Sequence, residues 1–188
     1  MNGNLGARAT FEADVVRAGG SAHGQLALGE NWAVECYGED GRLKWSDGIK
    51  NIVFDPGAIY AGGAALTGAA QSTNWFVGLM SSSITTSSGH TLASHTGWTE
   101  VEDYSEAIRQ LWQGSTVSST GGTSNTANKA TFTMSTTKSV GGAFLCSASS
   151  GTTGTLYAGG AFTGGAKDLS SGDSLQVTAR FNFTDDGA

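Results

Sequence analysis

Charge is scarce in this 188-residue chain. Charged residues make up 14%, against about a quarter in ordinary globular proteins. Ten basic residues face sixteen acidic ones, for a net charge of −6, and no basic run occurs. Nucleic acid is not an expected partner, because binding it takes clustered lysine and arginine to neutralise phosphates. No stretch reaches the ~18 apolar residues of a membrane span. The most apolar window, 56–70, is short and rich in small residues, so no membrane partner is expected. The opening MNGNLGARATFEADVV lacks an apolar signal core, so general secretory export is not expected. Proline occurs once, and the two cysteines, Cys36 and Cys146, do not make a disulfide scaffold. They are read as two separate buried thiols, small hydrophobes of the core. Walker, GxGxxG, GxSxG, CxxC and EF-hand patterns are all missing. That leaves no positive case for an enzyme, and no cofactor is expected.

Glycine is plentiful instead, at 29 residues, and five Trp, four Tyr and eight Phe supply large buried areas. Charge is uneven: residues 1–106 hold 12 acids and 5 bases, and residues 107–188 hold 4 acids and 5 bases. Residues 1–30 are small and polar apart from Phe11, Val15–Val16 and Leu26/Leu28. They read as an extended N-terminal arm, either frayed or ordered only against a partner that buries those few apolar residues.

Strand signals begin after the arm. Trp32, Val34 and Cys36 alternate with Ala33, Glu35 and Tyr37, and a second alternating run, 42–45, follows an Asp-Gly turn; together they predict a hairpin. A second Asp-Gly, Asp47-Gly48, predicts another turn before a buried strand over 49–54. Asp55-Pro56 breaks the sheet, and 58–66 is the best helix candidate, weakened by Gly62 and Gly63. Further strands are predicted over 74–80, 107–112, 129–135, 139–146 and 155–162. The clearest, 174–183, places Leu175, Val177, Ala179, Phe181 and Phe183 on one face. Segments 81–90 and 114–128 read as polar loops. Short strands, glycine turns and no fixed-period repeat predict an all-β fold. The expected architecture is an antiparallel β-sandwich, jelly-roll-like, with at most one short helix and a single domain over 31–188.

Only one constellation invites a chemical test: His90, His95, Glu100, Glu102, Asp103 and Glu106. Imidazole and carboxylate are metal ligands, but the two histidines are five apart, not the i, i+4 of a helical pair. The acids read more simply as a solvated surface. Of the tryptophans, Trp32, Trp75 and Trp112 sit among apolar neighbours and read as core. Trp98, in Thr96-Gly97-Trp98-Thr99, reads as exposed or at an interface, where Trp is enriched.

From Asn74 onward, the order of short motifs resembles a group of small virion proteins of tailed bacteriophages. The carriers are Asn74-Trp75-Phe76-Val77-Gly78-Leu79, the run 91–100 (TLASHTGWTE), Tyr104-Ser105-Glu106-Ala107 with Arg109, and 127–132 (ANKATF). Gly142-Ala143-Phe144-Leu145, 151–156 (GTTGTL) and Gly172-Asp173-Ser174-Leu175 follow. Upstream, Asp40-Gly41, Leu43-Lys44-Trp45, Asp47-Gly48 and Asn51-Ile52-Val53 fit the same pattern. The resemblance spans residues 36–183. It implies a capsid decoration, or cement, protein on the outer surface of the phage head, made in the host cytoplasm and without enzymatic activity. The implied partner is the major capsid protein, with a homo-oligomer of the chain itself. Phe11, Val15 and Val16 in the arm, with Trp98 and Tyr104, are the expected partner-binding residues. A tail, neck or fibre component and a glycan-binding β-sandwich module are the alternatives.

Overall fold

The computed structural model describes residues 26–30, 32–117 and 121–185, with side chains over 32–117 and 121–182. The protein is mostly β, antiparallel throughout its strand pairings, with one helix among the described residues. The hairpin is formed by β2 (Trp32–Tyr37) and β3 (Leu43–Val53), paired with Cys36 opposite Trp45. β3 runs straight through Asp47-Gly48, so the second expected turn is corrected to a continuous strand. The Asp47 carboxylate accepts from the Gly48 amide at 2.8 Å and also from the Gly164 amide at 3.0 and 3.1 Å, capping a turn at the neighbouring strand's exit.

Helix α1 (Asp55–Leu66) starts at the expected break, with Pro56 in its first turn, where a missing N–H is harmless. Then come β4 (Phe76–Ser81), β5 (Glu100–Val101), β6 (Gln110–Leu111), β7 (Gly122–Ser124) and β8 (Ala130–Thr133). The chain closes with β9 (Lys138–Cys146), β10 (Leu156–Phe162), β11 (Lys167–Leu169), β12 (Ser174–Thr178) and β13 (Arg180–Asp185). The larger sheet has the order β5-β4-β9-β10-β3-β2-β12-β8, with β6 also on β4 and β11 on β9, and it curls into half a barrel. A smaller sheet has the order β1-β13-β7, where β1 is Leu26–Glu30. The last five residues of the expected arm therefore pair with β13, Leu26 opposite Asp185 and Glu30 opposite Phe181. The loop expected over 114–128 contains β7, and the strand expected over 107–112 shrinks to the two residues of β6.

The strand expected over 174–183 is two strands in different sheets. Leu175, Val177, Ala179 and Phe181 are all buried, so the alternation persists across the break. Asn125 makes the break. It is fully buried, accepts from the Ala179 amide at 2.7 Å and donates to the Val177 carbonyl at 3.1 Å. A side-chain amide thus replaces a ladder partner at the point where the chain changes sheets.

The main core lies on one face of the large sheet and includes Val34, Val77, Leu79, Leu145, Phe132 and Leu175. The small sheet joins it through Phe181, edge-on to Trp32 at 5.9 Å and to Tyr157 at 5.5 Å. A second cluster covers the opposite face of β4, β9 and β10: Phe54, Met80, Leu92, Trp98, Phe144, Cys146 and Leu156. These three strands are buried on both faces, which is why their sequences run apolar rather than alternating. Gly78 is required there, because the Phe144 ring lies where its side chain would start.

Candidate interaction surface

Helix α1 meets the sheets at Gly57, which the Tyr157 backbone touches where a side chain would begin. Beyond that contact the helix diverges and leaves a cleft of about 560 Å³. One wall is Tyr60, Ala61, Ala64 and Ala65 of α1; the others come from the 71–75 segment, Leu145, Tyr157, Phe181, Thr123 and the stretch around Trp112 and Val117. Four ring contacts line it: Tyr60–Trp75 at 4.9 Å, Trp75–Tyr157 at 5.1 Å, Tyr157–Phe181 at 5.5 Å and Trp112–Phe181 at 5.7 Å. All are edge-to-face, the arrangement aromatic quadrupoles favour.

Several polar atoms at the cleft are already engaged. Tyr60 Oη accepts from the Ser72 amide at 2.6 Å, Trp112 Nε1 donates to the Ala179 carbonyl at 3.3 Å, and Thr123 Oγ1 donates to the Ser115 carbonyl at 2.6 Å. None of the lining residues is Asp, Glu, Lys, Arg or His. Such a cleft suits apolar side chains of a partner, each worth about 1.5–3 kcal/mol when fully buried. Outside it, Ile59 and Leu66 of α1 stand exposed, as does Val117 at its rim. A sequence signal for this surface was overlooked: residues 56–99 contain no Asp, Glu, Lys or Arg. That run supplies the α1 wall and the 71–75 segment of the cleft, and also the buried strand β4 and the loop that covers the second core cluster.

The residues expected to bind a partner fall elsewhere. Phe11, Val15 and Val16 lie outside the described residues. Trp98 is corrected from exposed to buried, at 4% accessible. The 82–99 loop folds back over the second core cluster, turning at Gly97 (φ +102°). The Trp98 indole stacks on His95 at 3.8 Å, packs against Phe144 at 5.2 Å and donates to His90 Nδ1 at 3.3 Å. Tyr104 is also buried, edge-on to Phe132 at 5.0 Å. Both rings face inward. Trp75 and Trp112, read as core, are half-buried and line the cleft.

The histidines and acids considered for metal binding are dispersed into separate roles. Glu100 pairs with Arg109, Asp103 with Lys138 at 2.9 Å, and Glu106 accepts from the Thr133 amide at 3.0 and 3.1 Å. Among the described residues, no group of three or more His, Cys, Asp or Glu side chains is placed to hold a metal ion.

Cys36 and Cys146 are free, buried thiols, as the sequence reading expects. Burial pushes the Cys36 thiol up to about 11, helped by the Asp173 carboxylate nearby. Burial also raises Cys146, against the pull of Arg109, and raises the Tyr104 phenol, helped by Glu100 and Glu102. In the unfolded chain thiols ionise near ~8.5 and phenols near ~10. Above those values the unfolded state has lost protons that the folded state keeps, so stability falls as pH rises. Urea unfolding at a series of pH values is expected to show this loss beginning above about pH 8.5. Its slope is about 1.4 kcal/mol per pH unit for each group in its window. A midpoint unchanged up to about pH 10.5 contradicts it.

The chain matches no protein-family model and no curated protein.

Proposed function

We propose that this chain is a capsid decoration protein of a tailed bacteriophage, bound to the outside of the head and clamping neighbouring major capsid subunits. The observation that carries this reading is the uncharged, aromatic-lined cleft between α1 and the sheets. A shell subunit offers loops and strand edges whose apolar side chains fit such a cleft. The resemblance of residues 36–183 to small virion proteins supports the same reading, since those motifs build the large sheet that forms the cleft floor. Binding the assembled shell better than free subunits stabilises it by mass action. Contacts to two capsid subunits at once raise avidity by about 10²–10⁴ over one contact. The net charge of −6 favours an outer position over contact with packaged DNA.

Ala64→Arg tests the cleft. It sets a guanidinium into an apolar wall at a partly exposed helix position, so the body stays folded. Binding to purified undecorated heads, measured by co-sedimentation, is expected to weaken at least about a hundredfold, the effect of about 2.7 kcal/mol. The thermal midpoint is expected to stay within a few degrees of wild type. Wild-type binding by this variant removes the cleft from the interface.

A further inference from the structure

The 82–99 loop keeps its shape through a histidine that fits in one protonation state only. An indole N–H donates and never accepts. The contact from Trp98 Nε1 to His90 Nδ1 at 3.3 Å therefore makes Nδ1 the acceptor. His90 is neutral in this arrangement, with its proton on Nε2. Its ring is buried and stacked on Phe54 at 6.2 Å, in a loop whose Leu92 and Trp98 cap the second core cluster. A proton on Nδ1 removes the acceptor and turns two donors toward each other. It also sets a buried cation against Phe54 and Trp98, which is costly without a paired anion.

The charged groups around the cluster do not hold that cation in place. Asp55, at the start of α1, is exposed, and its Oδ2 lies 3.4 Å from Ser88 Oγ, two residues before His90. It draws an imidazolium outward, away from Trp98. At the Phe144 end of the cluster the nearest charge is another cation, Arg109, already paired with Glu100. Burial raises the Cys146 thiol, which stays neutral. Within the loop the other titratable side chain is His95. It stacks on the Trp98 indole at 3.8 Å, with Nδ1 3.2 Å from the Trp98 carbonyl oxygen. A protonated His95 keeps both contacts, as a donor to that carbonyl and as a cation over the ring. Acid thus sets His90 against the closed loop and leaves His95 compatible with it.

We propose that the 82–99 loop is an acid-released flap, in which protonation of His90 frees Trp98 and lifts the loop from β4, β9 and β10. Lifting uncovers the apolar face carrying Met80, Phe144 and Leu156. The device rests on neither the cleft nor the capsid reading. In water an imidazole takes its proton near pH ~6.5. The open flap binds that proton and the closed flap does not, so the open fraction is expected to rise about thirtyfold between about pH 7.5 and about pH 5.0.

Hydrogen exchange of the full chain, read by NMR and corrected for the chemical exchange rate at each pH, tests this. Two amides report the closed loop: Thr85, bonded to the Gly97 carbonyl at 2.9 Å, and Asp55, bonded to the Ser88 carbonyl at 2.8 Å. Their protection is expected to fall about thirtyfold at the lower pH, while β9 and β10 keep theirs. His90→Gln retains an oxygen acceptor for Trp98 and does not titrate, so its protection is expected to be independent of pH. His95→Gln is expected to retain the fall. A wild-type change under about threefold overturns the proposal. So does an equal fall in β9 and β10, and so does a full fall in His90→Gln. The wild-type comparison stands without any variant.

Discussion

Arg109→Ala is expected to lower the unfolding free energy by about 3–5 kcal/mol, the range for breaking a buried ion pair on one side. Arg109 is 3% exposed. Its guanidinium grips Glu100 bidentately, Nε to Oε1 at 2.7 Å and Nη2 to Oε2 at 2.6 Å. The same group donates to the Ala148 carbonyl at 3.0 Å and the Gly151 carbonyl at 2.7 Å, and its Cζ lies 5.3 Å from the Phe144 ring centroid. One side chain thus ties three segments together: the β5 edge, the 147–154 turn and the second core cluster. Alanine leaves a mostly buried carboxylate without its counter-charge and two carbonyls without donors. Arg109→Lys keeps the charge and loses the planar fork, so it is expected to recover only part of the loss. The pair Arg109→Met with Glu100→Gln removes both charges and is expected to be far milder than Arg109→Ala alone. Urea midpoints for the four chains order these effects, and a loss under about 1 kcal/mol for Arg109→Ala contradicts the assignment.

Asn125→Ala is expected to cost about 2–4 kcal/mol and to loosen the small sheet selectively. The substitution orphans the Ala179 amide and the Val177 carbonyl, two buried groups at about 1–3 kcal/mol each. It also frees the one residue at which the chain passes from β12 to β13. Phe181, two residues on, is the small sheet's anchor in the main core and part of the cleft. Hydrogen exchange is therefore expected to accelerate in β13 and β7 before it does in β12. Asn125→Asp keeps the acceptor for the Ala179 amide but sets a fully buried carboxylate against the Val177 carbonyl, so at neutral pH it is expected to destabilise at least as much as alanine. Uniform exchange across both sheets contradicts a local role for Asn125.

That junction also shows what a sequence pattern can and cannot reveal. The two-residue periodicity over 174–183 reports which side chains are buried, and Leu175, Val177, Ala179 and Phe181 are all inside. It does not report which sheet buries them, because that is decided by an asparagine more than fifty residues away. The β2–β3 hairpin was legible because its determinants are local, an Asp-Gly turn between alternating runs. Asp47-Gly48 misleads for the converse reason: the Asp47 carboxylate serves a turn of a distant segment while its own backbone stays in the ladder.

The cleft was harder to read. Trp98 looked exposed beside Gly97 and polar neighbours, yet those loop residues let the chain fold back over strands that need covering on both faces. Trp75 and Trp112 looked like core, and they are half so: one edge packs inward and the other lines the cleft. Neither outcome follows from the flanking residues alone. The signal that was present is the absence of charge between Asp55 and Glu100, which local strand and helix patterns do not register.

The number of copies of this chain per purified virion, quantified by mass spectrometry against the major capsid protein, tests the decoration role most directly. A shell-wide clamp requires a stoichiometry comparable to the capsid protein, in the hundreds of copies. A count of about a dozen contradicts that role and assigns the chain to a tail, neck or vertex.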